Sequence, residues 1–137
     1  MFDLLDIGAS GLTAQRTRMD TIAGNVLNQS VTRGKQKADG TWEPYRRRLV
    51  VMQTGAADDP RKPGVHVTKV EEDQSAFRIA HEPWNPEADA DGNVKYPNVD
   101  MTYEMVNMID ASRAYEANVT MMETTKQMLN ATMRLLA

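Results

Sequence analysis

From Met101 to Leu136 the chain repeats apolar residues at alternating steps of four and three. The series is Met101, Met105, Met108, Ser112, Tyr115, Val119, Met122, Lys126, Leu129, Met133 and Leu136, with only Ser112 and Lys126 polar and no Pro or Gly between them. This spacing predicts one long helix with a narrow apolar stripe, roughly 54 Å long. A chain of 137 residues cannot wrap such a rod in a core of its own, so the stripe asks for another helix. The N-terminal segment offers one. Leu5, Leu12, Met19 and Val26 recur every seven residues, with Ala9 and Ile22 beside them and Gln15, Arg16, Arg18 and Asp20 on the remaining surface. Gly8, Gly11 and Gly24 interrupt this helix. Each either weakens it by about 1 kcal/mol relative to Ala or permits close approach of another backbone, and the sequence favours neither reading. Asn, Ser, Thr and Gly cluster between Asn28 and Gly34 and predict a stop.

The middle of the chain has a different texture. Tyr45–Val51, Val65–Val70 and Phe77–Ile79 read as short strands, separated by turn signals at Asp39-Gly40, Asp58-Asp59-Pro60 and Pro63-Gly64. All six prolines fall between Pro44 and Pro97, outside both helical ends. The expected class is therefore α+β. Residues 1–34 form an N-terminal helix, 35–99 a small β-rich insertion with loops, and 100–137 a C-terminal helix pairing with the first as a coiled-coil or helical-tube element. Two helices with so narrow a stripe make a marginal pair. Further helices must pack around them, most simply from other subunits, and the ends of an isolated chain are expected to fray.

Charge narrows the partners. The formal net charge of −3 is spread without a block. Arg46-Arg47-Arg48 is the only basic run; on a strand, Arg46 and Arg48 would share one face and Arg47 the other. That suits a solvated edge or a subunit contact better than nucleic acid, which needs a wider basic face with stacking aromatics. The absence of cysteine excludes disulfides, thiol catalysis and thiolate-bound zinc. No apolar run approaches the ~20 residues of a membrane-spanning helix. The opening MFDLLDIGASGL places acids where a cleaved signal carries bases, so any export would be without a cleaved signal peptide.

Candidate chemistry is sparse. In Glu87-Ala-Asp89-Ala-Asp91-Gly92, the carboxylates and glycine match positions 1, 3, 5 and 6 of a calcium loop, but Asn98 stands where the bidentate carboxylate belongs. A small calcium-binding or interaction module built on residues 87–98 is the alternative function; the acidic-turn reading is the plainer one. His66 and His81 lack ligand-pair spacing, Ser10 lacks a nucleophile-elbow context, and Gly8 and Gly11 lack the lysine and strand of a phosphate loop. No enzyme, metal or cofactor is expected. The methionines of the C-terminal helix suit adaptable packing against a neighbour.

Several blocks carry a resemblance. Ser10-Gly11-Leu12-x-Ala14, Met19-Asp20 and Asn25-Val26-Leu27-Asn28 resemble the N-terminal signature of the flagellar rod, hook and hook-filament axial proteins. The blocks Asp89-Ala-Asp91-Gly92, Tyr96-Pro97-Asn98-Val99-Asp100, Glu104-Met105-Val106-Asn107-Met108-Ile109 and Ser112-Arg113-Ala114-Tyr115-Glu116-Ala117-Asn118-Val119 resemble the proximal-rod members of that family and follow their order. The resemblance implies a structural subunit exported unfolded through the flagellar export apparatus. It also implies helical polymerisation, with both terminal helices lining an inner tube, in a rod that crosses the periplasm and carries torque from motor to hook. Implied partners are copies of itself, other proximal and distal rod proteins and a FliE-type base adaptor. The motif residues it marks are Ser10, Gly11, Leu12, Asn25, Asn28, Pro97, Asn98, Val99, Asn107, Arg113, Tyr115, Glu116 and Asn118.

Overall fold

The computed structural model describes residues 2–38, 40–56 and 62–136, with side chains placed from Leu4 to Arg134. Two helices, α1 (Phe2–Leu27) and α2 (Met101–Leu136), enclose six short strands. The strands are β1 (Lys35–Gln36), β2 (Trp42–Glu43), β3 (Arg48–Thr54), β4 (Val65–Glu72), β5 (Arg78–His81) and β6 (Asn93–Tyr96). They pair only as three separate antiparallel ribbons, β1–β2, β3–β4 and β5–β6. The long β3–β4 ribbon lies against α1, with a register irregularity between Val51 and Met52. The α+β architecture of two long helices flanking small antiparallel strand pairs agrees with the expectation.

Helix boundaries follow from capping. The Asp100 carboxylate accepts the backbone N–H groups of Thr102 and Tyr103 at 2.8 and 3.2 Å and so starts α2. Asn28 closes α1 by donating its side-chain amide to the Gly24 carbonyl at 2.8 Å. Strand β3 begins at Arg48, later than the predicted Tyr45, because the preceding backbone is engaged elsewhere. The Tyr45 N–H donates to the Val31 carbonyl and that of Arg47 to the Asn98 side chain. Strands β1 and β2, of two residues each, are too short to show an alternating pattern, and β6 (Asn93–Tyr96) was also missed. Gly40 takes the positive φ expected of its turn, whereas Asp39 and the Asp58-Asp59-Pro60 turn lie outside the described residues.

The helices run antiparallel in a close hairpin. Gly8 sits against Met122, Gly11 against Asn118, and Asn25 against Glu104. A Cβ at Gly8 would stand 2.7 Å from Met122 Cγ, and one at Gly11 2.9 Å from Asn118 Nδ2. These two glycines therefore mark close helix approach, whereas Gly24 has open space around it. On α2, Glu104, Ala111, Asn118 and Thr125 recur every seven residues; Glu104 and Ala111 are fully buried, Thr125 is nearly so and Asn118 is half-buried. Met108, Tyr115, Met122 and Leu129 flank them, half-buried, as does Val119. Met101, Met105 and Met133 stay largely exposed, and the side chain of Leu136 lies outside the described residues. On α1, Ile22 is buried, while Leu5, Leu12, Met19 and Val26 are half-buried. The centre of the contact is thus lined by small and polar side chains that let the backbones approach, and the long apolar side chains turn to its margins.

Placing Leu at Gly11 should overpack the hairpin and cost ~1–3 kcal/mol, whereas Gly24→Ala should add up to about 1 kcal/mol through helix propensity. Thermal unfolding followed by circular dichroism should show opposite shifts in Tm.

Candidate functional site

The two helices and the β-rich insertion meet at one polar junction. Glu104, in the first turn of α2, is wholly inaccessible to solvent and is the largest fully buried side chain described. Its Oε1 accepts from Arg47 Nε at 2.6 Å, and its Oε2 from Asn25 Nδ2 at 3.1 Å. Asn25, near the end of α1, also donates to the Arg48 carbonyl at 2.9 Å and accepts the Arg48 N–H at 2.8 Å and the Tyr45 hydroxyl at 3.0 Å. Its amide thus serves as a strand partner for the open edge of β3. Asn98 does the same one residue earlier, accepting the Arg47 N–H at 2.9 Å. Its other end donates to the Asp73 carbonyl and the Ser75 hydroxyl.

Arg47 is the link among these groups. Its guanidinium also reaches Asp73 Oδ2 at 3.4 Å and lies 4.9 Å from the centre of the Tyr103 ring. Burial works against its charge, but the Glu104 and Asp73 carboxylates outweigh burial and raise its pKa above the ordinary value. The Ser75 N–H holds the Asp73 carboxyl below its ordinary value against the effect of burial, and the Ser75 hydroxyl and Arg47 add to the shift. The basic run is therefore a solvated edge only at Arg48, the exposed first residue of β3. Arg47 turns inward, and Arg46 pairs with Glu43 at 2.8 Å and stacks over Phe77 at 4.3 Å.

The motif residues divide into those that bind elements together and those that do not. Asn25 and Asn98 build the junction, and Pro97 is fully buried just before α2. Ser10 accepts the Val65 N–H at 3.1 Å, fastening β4 to α1. Asn107 accepts from Arg18 at 3.4 Å, and Asn118 meets Gly11. Asn28 caps α1. Leu12, Val99 and Tyr115 are half-buried, while Arg113 and Glu116 face outward. Sequence reasoning missed Arg47, Asp73, Tyr45 and the role of Glu104. The available signal was a carboxylate in heptad register with Ala111, Asn118 and Thr125, a position that demands a buried cation.

The calcium-like loop is a hairpin turn between β5 and β6. Asp89 Oδ1 accepts the N–H groups of Asp91 and Asn93 at 3.1 and 3.0 Å, Glu87 pairs with Arg33 at 2.5 Å, and Gly92 takes φ +75°. Among the described residues no three His, Asp or Glu side chains are grouped to hold a metal ion. No described helix is long and apolar enough to cross a membrane.

Comparison with known proteins decides the family. Residues 90–135 match the family model described as "Flagellar basal body rod FlgEFG protein C-terminal". The flagellar basal-body rod protein FlgC of Bacillus subtilis is 42% identical over 93% of this chain and 93% of its own length. That of Salmonella typhimurium is 42% identical over 98% of this chain and 97% of its own. That of Borreliella burgdorferi is 34% identical over 99% and 97%. The chain belongs to the FlgC family of flagellar basal-body rod proteins. Its role is that of a structural rod subunit of the flagellar basal body, and the junction is the internal joint of this FlgC-family subunit.

Two measurements probe the joint. Arg47→Ala should lower the unfolding free energy by about 3–5 kcal/mol by leaving the buried Glu104 carboxylate without its cation, and Glu104→Ala should cost less because Arg47 keeps Asp73. The double replacement Arg47→Met with Glu104→Leu should cost less than Arg47→Ala, as read by denaturant unfolding. The depressed Asp73 pKa should also appear in acid. Its stabilisation is complete above the ordinary carboxylate pKa and is lost as pH falls through the lower folded value. Asp73→Asn should therefore flatten the acid limb of the stability–pH curve.

Proposed function

We propose that this subunit performs no chemistry and polymerises helically with other rod subunits into the drive shaft that carries torque from motor to hook, its terminal helices lining the central channel. The observation that supports this reading most strongly is the exposed apolar surface at the start of α2. Met101, Tyr103, Met105, Val106 and Ile109 are all exposed along nine residues of helix. A single hairpin has two long surfaces and can cover only one of them; neighbouring helices must cover the other. Contacts of this heterologous kind generate an open helical filament when they do not close into a ring.

In this reading the rod stands in the periplasm, and the chain reaches it through the flagellar export apparatus without a cleaved signal peptide. Its neighbours are copies of itself, other proximal and distal rod proteins, and a base adaptor of the FliE type. A sparse apolar core supports such a route, since a chain that folds weakly alone can complete its burial on assembly. The described apolar core consists only of Ala14, Ile22, Val94 and Ala111.

Val106→Asp and Ile109→Asp place charge on exposed positions and should leave the free chain as stable as the parent to within ~0.5 kcal/mol. Both should nonetheless abolish rod assembly and swimming. Normal motility of both variants in a soft-agar assay would contradict this function.

A further inference from the structure

The two arms of the hairpin differ in length. Helix α1 has 26 residues and α2 has 36. The register set by Gly8 against Met122 and Asn25 against Glu104 brings the first residue of α1 opposite residues 127–128. The remainder of α2 therefore runs on without a partner helix from its own chain. It carries Leu129, half-buried, Met133 at 60% exposure, and Arg134 in its last turn, just beyond Met128 at 65% exposure.

The opposite end of the hairpin has the complementary fault. Beside the end of α1 lies a cleft of about 310 Å³, lined by Ala23, Val26, Leu27, Met105, Met108 and part of Glu104. The Glu104 carboxylate is already bound by Arg47 and Asn25, so the surface offered to a visitor is hydrocarbon and thioether. Leu27, at its rim, is 81% exposed.

We propose that this cleft receives the C-terminal end of the long helix of a neighbouring rod subunit built on the same hairpin. The inference rests on the rod-subunit reading above and names one contact within it. The overhang of this chain shows the chemistry that fits: Leu129 and Met133, about one turn apart on the same face of α2, to fill the cleft. The contact continues the α1–α2 packing past the point where this chain runs out of α1. It joins unlike ends and so repeats along an axis without closing. Met105 and Met133 stand ~42 Å apart along a straight α2, which sets the expected scale of the axial step.

The test uses the full-length chain in flagellated cells that lack their own copy. A photoreactive benzoyl-phenylalanine replaces Leu27, the cells are irradiated, and adducts in purified basal bodies are mapped by mass spectrometry. Adducts concentrated at least ten-fold on the last two helical turns of a rod subunit, whether this chain or another of the same build, are the expected result. Met105 replaced by the same probe reads the same cleft if the first variant fails to assemble. Assembled rods whose adducts lie in other segments, or that give none, would overturn the proposal. Failure of the unsubstituted chain to enter basal bodies would instead overturn the rod-subunit reading, and the docking contact with it.

Discussion

A carboxylate with no access to water must be met on every side, and the burial of Glu104 joins three segments distant in sequence. Arg47 comes from the insertion, Asn25 from the end of α1, and the backbone around Glu104 from the start of α2. The desolvation cost of a buried charge is several kcal/mol unless each oxygen has a partner. The joint is therefore favourable only when all its members are in place. Satellite bonds from Asn98, Asp73 and Tyr45 extend the same demand to the strand ends. Directional bonds here set an orientation that the small apolar core could not.

The rest of the fold is arranged around that joint. Three two-stranded ribbons never merge into a sheet, so the insertion has little shape of its own. It is held by β3–β4 lying along α1, by Ser10 on Val65, and by amide side chains standing in for strands at the edge of β3. The helices meet closely through glycine, alanine and threonine, with Ile22 beside them, and leave Met105, Val106 and Ile109 exposed. Thr125 is buried because its hydroxyl donates to the Met121 carbonyl within its own helix. A subunit made this way is held together at its joint and leaves its helix flanks free for neighbours.

Much of the fold was legible in the sequence, and for definite reasons. A run of 36 residues without Pro or Gly, bounded by Asp100, permits only a helix, and α2 spans Met101–Leu136 as its pattern predicts. The stop after Val26-Leu27 follows from the turn formers beyond it. The face of α2 that meets α1 was harder to read. Heptad counting follows hydrophobicity, and it favoured Met101, Met105 and Met133, which are exposed. The buried line runs through Glu104, Ala111 and Thr125, chosen for size and bonding rather than for apolar character. The junction was hidden for the same reason. Arg47 and Glu104 each resemble surface residues until a structure shows that 57 positions of sequence close into 2.6 Å. The motif asparagines were visible as a resemblance, but their work as backbone partners is a tertiary fact.

The central claim is that the joint orders the subunit and that neighbours in the rod complete its helices. Amide hydrogen exchange on the full-length chain, free and within purified basal bodies, tests this most directly. The account predicts that amides around Arg47 and Arg48 are the best protected of the free chain. The ends of α1 and α2 away from the joint should exchange readily when free and gain protection only in the basal body. Helix ends already as protected in the free chain as in the rod, or a junction that exchanges faster than they do, would contradict it.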